Sequence, residues 1–183
     1  ATEQLGLAPS NTRILDFEVR HFARDRQGVL DAMVKLNAAL RPDLVLVPSS
    51  DDTHQDHFVV SDEARRAFKH TRILGYEAPW NKFRFETTAF VSLTQEDLER
   101  KVAALSQFVT QSGRPYMDRA YQEAQLRFRG VQAGVQYAEA FQVLRWFLYA
   151  EVTCWWGGFC GPDLGFCCGG VVWFWLLEVQ GDG

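Results

Sequence analysis

The stretch LVLVPSSDDTHQDHFVV, residues 44–60, fixes both the class of fold and the place where chemistry would gather. Its opening LVLV is a short, unbroken apolar run, the pattern of a strand buried on both faces of a sheet. Directly behind it, Asp51, Asp52, His54, Asp56 and His57 crowd into one short turn. Ionised carboxylates this close repel one another, and a bound cation would remove the conflict. His54 and His57 stand three apart with Asp56 between them, so a tight turn can aim both rings at one point. The plainer reading is a solvated loop in which Asp51 or Asp52 only caps the next helix. Sites in α/β sheets lie at the carboxyl ends of strands, which is where this motif falls.

Working outward, the apolar spacing alternates between two periods. TRILDFEV (12–19) reads as a strand centred on Ile14 and Leu15. RQGVLDAMVKLNAAL (26–40) sets Val29, Leu30, Met33, Leu36 and Leu40 at helical spacing, and Pro42 stops that helix. A helix carrying Ala64, Ala67 and Phe68 follows the motif. RILGY (72–76) and ETTAFVSL (86–93) read as strands, the second rich in β-branched and aromatic residues. Thr94 and Asp97 suit a capping box for a helix over 95–112. A further long helix is expected from Tyr116 to Phe128, and AEAFQVLRWFL (138–148) brings the chain back to the sheet. Strands alternating with helices give an α/β fold with a mainly parallel sheet covered on both faces.

The two ends of the chain differ from this body. The start reads as if in mid-helix, running from Ala1 to Leu5 and stopping at Gly6 and Pro9. Nothing there resembles a signal peptide, and a cytoplasmic location is expected. Residues 149–183 contain no Lys, Arg or His, yet hold all four Cys and most of the Trp and Gly. Their four acidic residues account for the whole net charge of −4. The spacing of Cys154, Cys160, Cys167 and Cys168 matches no common zinc module. We therefore divide the chain into a body, 1–148, and a Cys/Trp/Gly-rich tail, 149–183, expected to pack poorly against it. The longest apolar run of the tail, Val171 to Leu177, is far short of the ~20 residues that span a bilayer.

PDLVLVPSSDDTHQDH (42–57) resembles the second metal-binding motif of the PIG-L or LmbE-like zinc-dependent sugar de-N-acetylases. EARRAFKHTRILGYEAPWN, LERKVAALSQFVTQSGRPYM and YAEAFQVLRW are similar to later segments of that family, in the same order. The resemblance covers the body and not the tail. It implies a Rossmann-like three-layer sandwich that removes the N-acetyl group from an N-acetylglucosamine-type amino sugar or its conjugate, using one Zn2+. It also implies roles for particular residues. His57 would ligate zinc as a neutral imidazole. His54 would stabilise the oxyanion or protonate the departing amine, and Asp56 would orient a neighbouring ring. The family's other two zinc ligands and its general base come from an early His-Pro-Asp-Asp motif with no counterpart in this sequence. The fold would thus lack its first strand-turn unit, and the chain as given is expected to be inactive. A non-catalytic remnant or carbohydrate-binding fragment is the alternative.

Other residues carry weaker signals. GYEAPWN (75–81) joins Tyr76 and Trp80 to Glu77 and Asn81, a mix suited to a sugar face and equally to loop packing. Arg20, Arg24 and Arg26 could meet an anionic group, though exposed arginines are usually just solvated. Glu139 falls in a segment shared with the family, and His21 and His70 read as ordinary surface or core histidines. A metallophosphoesterase would need more metal ligands than the sequence offers. The body is neutral and shows no basic stripe, phosphate-cradling glycine loop or Ser-His-Asp set, so no nucleic-acid partner is expected. The sequence leaves the oligomeric state open.

Overall fold

The computed structural model describes residues 2–147 and 171–173. Helix α1 (Arg26–Leu40) ends where Arg41 turns left-handed, φ 44°, and Pro42 follows. Strand β1 (Leu44–Pro48), helix α2 (Gln55–Ala67) and strand β2 (Arg72–Tyr76) form a parallel βαβ unit, with Val45 opposite Ile73 and Val47 opposite Gly75. Strand β3 (Ala89–Leu93) leads into α3 (Gln95–Leu105), and α4 (Arg119–Ala133) into β4 (Tyr137–Arg145). The expected capping box is present at α3, where Thr94 and Asp97 bond reciprocally. That helix stops at Leu105, short of the expected 112, and Val109–Gln111 forms a separate 3-10 turn. Helix α4 begins three residues after Tyr116 because Pro115–Met117 forms another such turn and Asp118 caps the helix. Its other end is Gly134, left-handed at φ 72°, a conformation that suits glycine.

Strand order is β3-β4-β2-β1-β5, where β5 is Val171–Trp173. The sheet is mixed, which corrects the mainly parallel sheet expected from the sequence. β1 runs parallel to β2 and β5, whereas β4 runs antiparallel to β2 and β3. The reason lies in the connection from β3 to β4. A single crossover helix returns the chain for a parallel strand, but α3 and α4 are two helices, and the second reversal brings β4 in antiparallel.

Alternate residues of each strand face opposite sides. Val45, Val47 and Ile73 pack with Val29, Leu30 and Met33 of α1 and Val59, Val60 and Ala64 of α2. Leu46, Leu74 and Phe141 share a cluster on the other face. Tyr137, with the parity of Phe141 on β4, meets Leu98 of α3 and Leu126 of α4. Two helices therefore cover each face, giving three layers.

The strand expected over residues 12–19 does not form. That segment is irregular, and Ile14 is 90% exposed. Strand propensity needs a neighbouring ladder to become a strand, and none of the described strands pairs with it. Three residues of the segment read as a tail do join the sheet, as Val171–Trp173 align with Leu44–Leu46. The rest of 149–183, with its four cysteines and the expectation of poor packing, lies outside the described residues.

Gly75 has a steric role at the site. A Cβ there would lie 2.8 Å from the Ser49 Cα, the first residue after β1. Gly75→Ala is expected to push Ser49 and the motif behind it, costing about 1–3 kcal/mol, as overpacking does. A thermal melt at matched concentration measures this directly.

Candidate functional site

Residues 49–54 carry the chain from β1 into α2 and are tied down from three sides. Ser49 N–H donates to the Tyr76 carbonyl of β2 at 3.2 Å. Ser50, through N–H and hydroxyl, donates to Gln142 Oε1 of β4, 3.0 Å in each case. Thr53 donates from backbone and hydroxyl to the Asn81 carbonyl, at 2.9 and 2.7 Å. The motif loop is thereby registered to the neighbouring strands and to the loop after β2.

His54 caps α2, its Nδ1 accepting the Asp56 N–H at 3.2 Å. An accepting Nδ1 leaves Nε2 to carry the proton, so the neutral ring is a donor at Nε2. The His54 and His57 rings lie 4.7 Å apart between centroids. His57 is buried, and its Nδ1 lies 2.8 Å from Asp52 Oδ2. A carboxylate only accepts, so Nδ1 holds the proton and Nε2 keeps its lone pair. The other Asp52 oxygen accepts the His54 N–H at 2.9 Å. One buried carboxylate thus fixes the tautomer of His57 and the turn that carries His54.

Asp56 has a different set of partners from the one expected of it. Its buried carboxylate accepts the backbone N–H of Arg20 at 2.5 Å and of Phe22 at 3.2 Å. Arg20 is one of two non-glycine residues at positive φ among those described. Gln55 adds a bond from its side chain to the Arg20 carbonyl, 2.8 Å. The start of α2 therefore clamps the turn at 20–22, and the carboxylate on the His57 ring belongs to Asp52. A carboxylate beside two histidines in sequence was the available signal, but α2 turns Asp56 away from both rings.

His57, Tyr76, Trp80 and Asn81 meet in the wall of one cavity of about 360 Å³, between the sheet and the α3/α4 layer. Burial first, and the charge of Asp52 second, hold the Tyr76 phenol above its ordinary pKa, so it stays neutral. Trp80 stacks on Tyr116, with ring centroids 3.9 Å apart and planes 14° from parallel. Two ion pairs complete the wall. Lys101 of α3 meets Glu139 of β4 at 2.7 Å. Arg129 of α4 grips Glu77 with two nitrogens, Nε at 2.9 Å and Nη2 closer, and both side chains are about one-tenth exposed. Near this wall, burial lowers Lys82 to about 8, and its Nζ donates to the Tyr76 carbonyl at 2.9 Å.

Arg26 pairs with Asp62 and with the buried Glu63, binding α1 to α2, and is structural. Arg24 pairs with Glu18 and Asp25 at the surface. His21 and His70 are exposed. Sequence reasoning missed Asp52 as the partner of His57, and missed Arg129 and Tyr116. A single Arg or Tyr on a helical pattern carries no sign of what it faces.

Zinc can be tested against these residues. His57 has the arrangement of a ligand, with one ring nitrogen held by a carboxylate and the other bare. Among the described residues, however, no group of three or more His, Cys, Asp or Glu is placed to hold a metal ion. The described residues therefore do not make a zinc centre. No helix among them is long and apolar enough to cross a membrane.

The chain is an α/β protein with a histidine–carboxylate pair at the carboxyl end of β1, on the wall of a cavity. Solved structures share the fold, among them two of low sequence identity. One is the conserved protein TT1542 from Thermus thermophilus, with a TM-score of 0.57 and 22% identity over 81% of this chain and 71% of that one. The other is the zinc-inhibited form of teicoplanin deacetylase Orf2, with a TM-score of 0.51 and 17% identity over 74% of this chain. The match spans 57% of the length of that deacetylase. No protein-family model matches the sequence, and no curated protein is significantly similar to it.

Proposed function

We propose that this chain is the sugar-holding part of a metal-dependent de-N-acetylase acting on an N-acetylglucosamine-type amino sugar or its conjugate. One observation carries the reading. His57 reaches the cavity with Nδ1 engaged by Asp52, so its bare Nε2 is the nitrogen left for a metal or a substrate. Likeness of fold to a deacetylase supports the same class. The wall suits a sugar. Tyr76 and Trp80 offer flat faces to a pyranose, and Asn81 with the Lys101–Glu139 pair offers donors and acceptors to its hydroxyls. His54, a donor at Nε2, is suited to a developing oxyanion beside His57. Asp56 acts at one remove, by holding the turn at 20–22.

A second reading is favoured by the incomplete ligand set: the chain as given binds the sugar without cleaving it. One experiment separates the two. The full chain, alone and joined to a first strand and His-Pro-Asp-Asp turn from a related de-N-acetylase, is assayed for zinc by atomic emission and for acetate release. The joined protein is expected to hold one zinc and release acetate from N-acetylglucosamine derivatives. His57→Ala is expected to abolish both, and His54→Ala to keep zinc while lowering turnover ~10²–10³-fold. Full zinc and turnover in the His57→Ala protein would remove the site from the reading. Sugar binding with no acetate release from either protein would favour the binding module.

A further inference from the structure

Gln122 stands near the start of α4 and belongs to the lining of the cavity, yet its side chain is only 4% exposed. Its Nε2 donates to the Tyr116 carbonyl at 2.6 Å, which ties the turn at Pro115–Met117 to the helix. The reverse amide orientation would set two acceptors face to face, so the nitrogen end is fixed. Oε1 is then left with no hydrogen-bond partner, and it is closed to water as well. A buried acceptor in that state carries the full penalty of its lost hydration, and such atoms are rare in folded proteins. The cations of the wall do not relieve it, since Lys101 is paired with Glu139 and Arg129 with Glu77.

Resting on the de-N-acetylase reading, we propose that Gln122 determines sugar specificity, its Oε1 accepting a hydrogen bond from one ring hydroxyl of the N-acetylated sugar. The chemistry of the missing partner follows from the atom. An amide oxygen only accepts, so the ligand must bring a donor, and a phosphate or carboxylate there would meet a second acceptor. The reading puts the acetamido group at His57, which comes from α2. Gln122 comes from α4, in the layer that closes the cavity over the sheet, so the group it meets is the remainder of the ring, whose donors are hydroxyls. The last torsion of a glutamine side chain is soft, so a small turn of the amide brings Oε1 to a hydroxyl in the cavity. The bond to Tyr116 keeps the amide from turning over.

Isothermal titration of the full chain and of its Gln122→Met variant with methyl N-acetylglucosaminide and its 3-deoxy, 4-deoxy and 6-deoxy analogues tests the proposal without requiring turnover. One analogue is expected to bind the parent chain about tenfold more weakly than the complete sugar, the size of one neutral hydrogen bond. In the Gln122→Met protein that difference is expected to shrink below about twofold, because the acceptor is gone. Three analogues that bind as tightly as the complete sugar, or a loss that persists in the variant, overturn the role of Gln122 and leave the amino-sugar reading standing. Should the variant fold poorly by circular dichroism, the Gln122 Cδ carbon resonance of the parent chain decides. It is expected to move with the complete sugar and to stay still with the weakened analogue, and a resonance unmoved by the complete sugar overturns the proposal. Failure of the parent chain to bind any of the four sugars overturns the amino-sugar reading, and this proposal with it.

Discussion

Arg129→Ala is expected to destabilise the protein by about 3–5 kcal/mol, the cost of leaving one partner of a buried ion pair alone. The forked contact with Glu77 joins α4 to the loop after β2, and neither side chain has much access to water. Removing the guanidinium strands the Glu77 carboxylate in the cavity wall. The same arginine lies over the Phe85 ring at 5.4 Å, so packing is lost along with charge. The double change Arg129→Met with Glu77→Gln is expected to recover much of the loss, because no charge is then left unpaired. Urea titrations of the three proteins measure both values. A single variant within about 1 kcal/mol of the parent would mean that water reaches Glu77 and that the wall is softer than described.

Asp52→Ala is expected to cost about 2–4 kcal/mol, since two donors lose a buried, charged acceptor. Its effect on the site should be larger than that number suggests. Without Asp52, the His57 ring can rotate and change tautomer, and the turn carrying His54 loses its anchor. In the protein joined to a His-Pro-Asp-Asp turn, zinc affinity is expected to fall ~10–100-fold, the usual effect of losing a carboxylate behind a ligating histidine. Asp52→Asn keeps an acceptor for the His57 Nδ1–H and should retain more of that affinity. Asp56→Ala should instead loosen the turn at 20–22, seen as faster amide exchange at Arg20 and Phe22.

Helices α1 to α3 and strands β1 and β2 were legible because each carries its own signal. The spacing of Val29, Leu30 and Met33, the run at 44–47 and the Thr94–Asp97 box are all local patterns. Residues 12–19 misled because β-branched and apolar residues show strand propensity whether or not a partner strand lies alongside. The mixed sheet was hidden for a different reason. Strand direction depends on whether one or two helices intervene, and residues 95–133 show two helices without showing how they fold back. For the site, the crowding of acidic and histidine groups at the end of β1 marked the right place. Which carboxylate served which histidine could not be read, because i to i+5 pairing across a helix cap depends on the loop path. Asp52 reaches His57 only because the turn at 49–54 is bonded to Tyr76, Gln142 and Asn81.

Asp52 holds the proton of His57 on Nδ1 and leaves Nε2 bare at the cavity wall, and the proposed function depends on that arrangement. Long-range proton–nitrogen NMR correlation of the His57 ring in the full chain, with and without methyl N-acetylglucosaminide, tests it most directly. The account predicts a protonated Nδ1, a bare Nε2, and an Nε2 resonance that moves as the sugar binds. A ring protonated at Nε2, or an Nε2 resonance that stays still while the sugar binds, would contradict it.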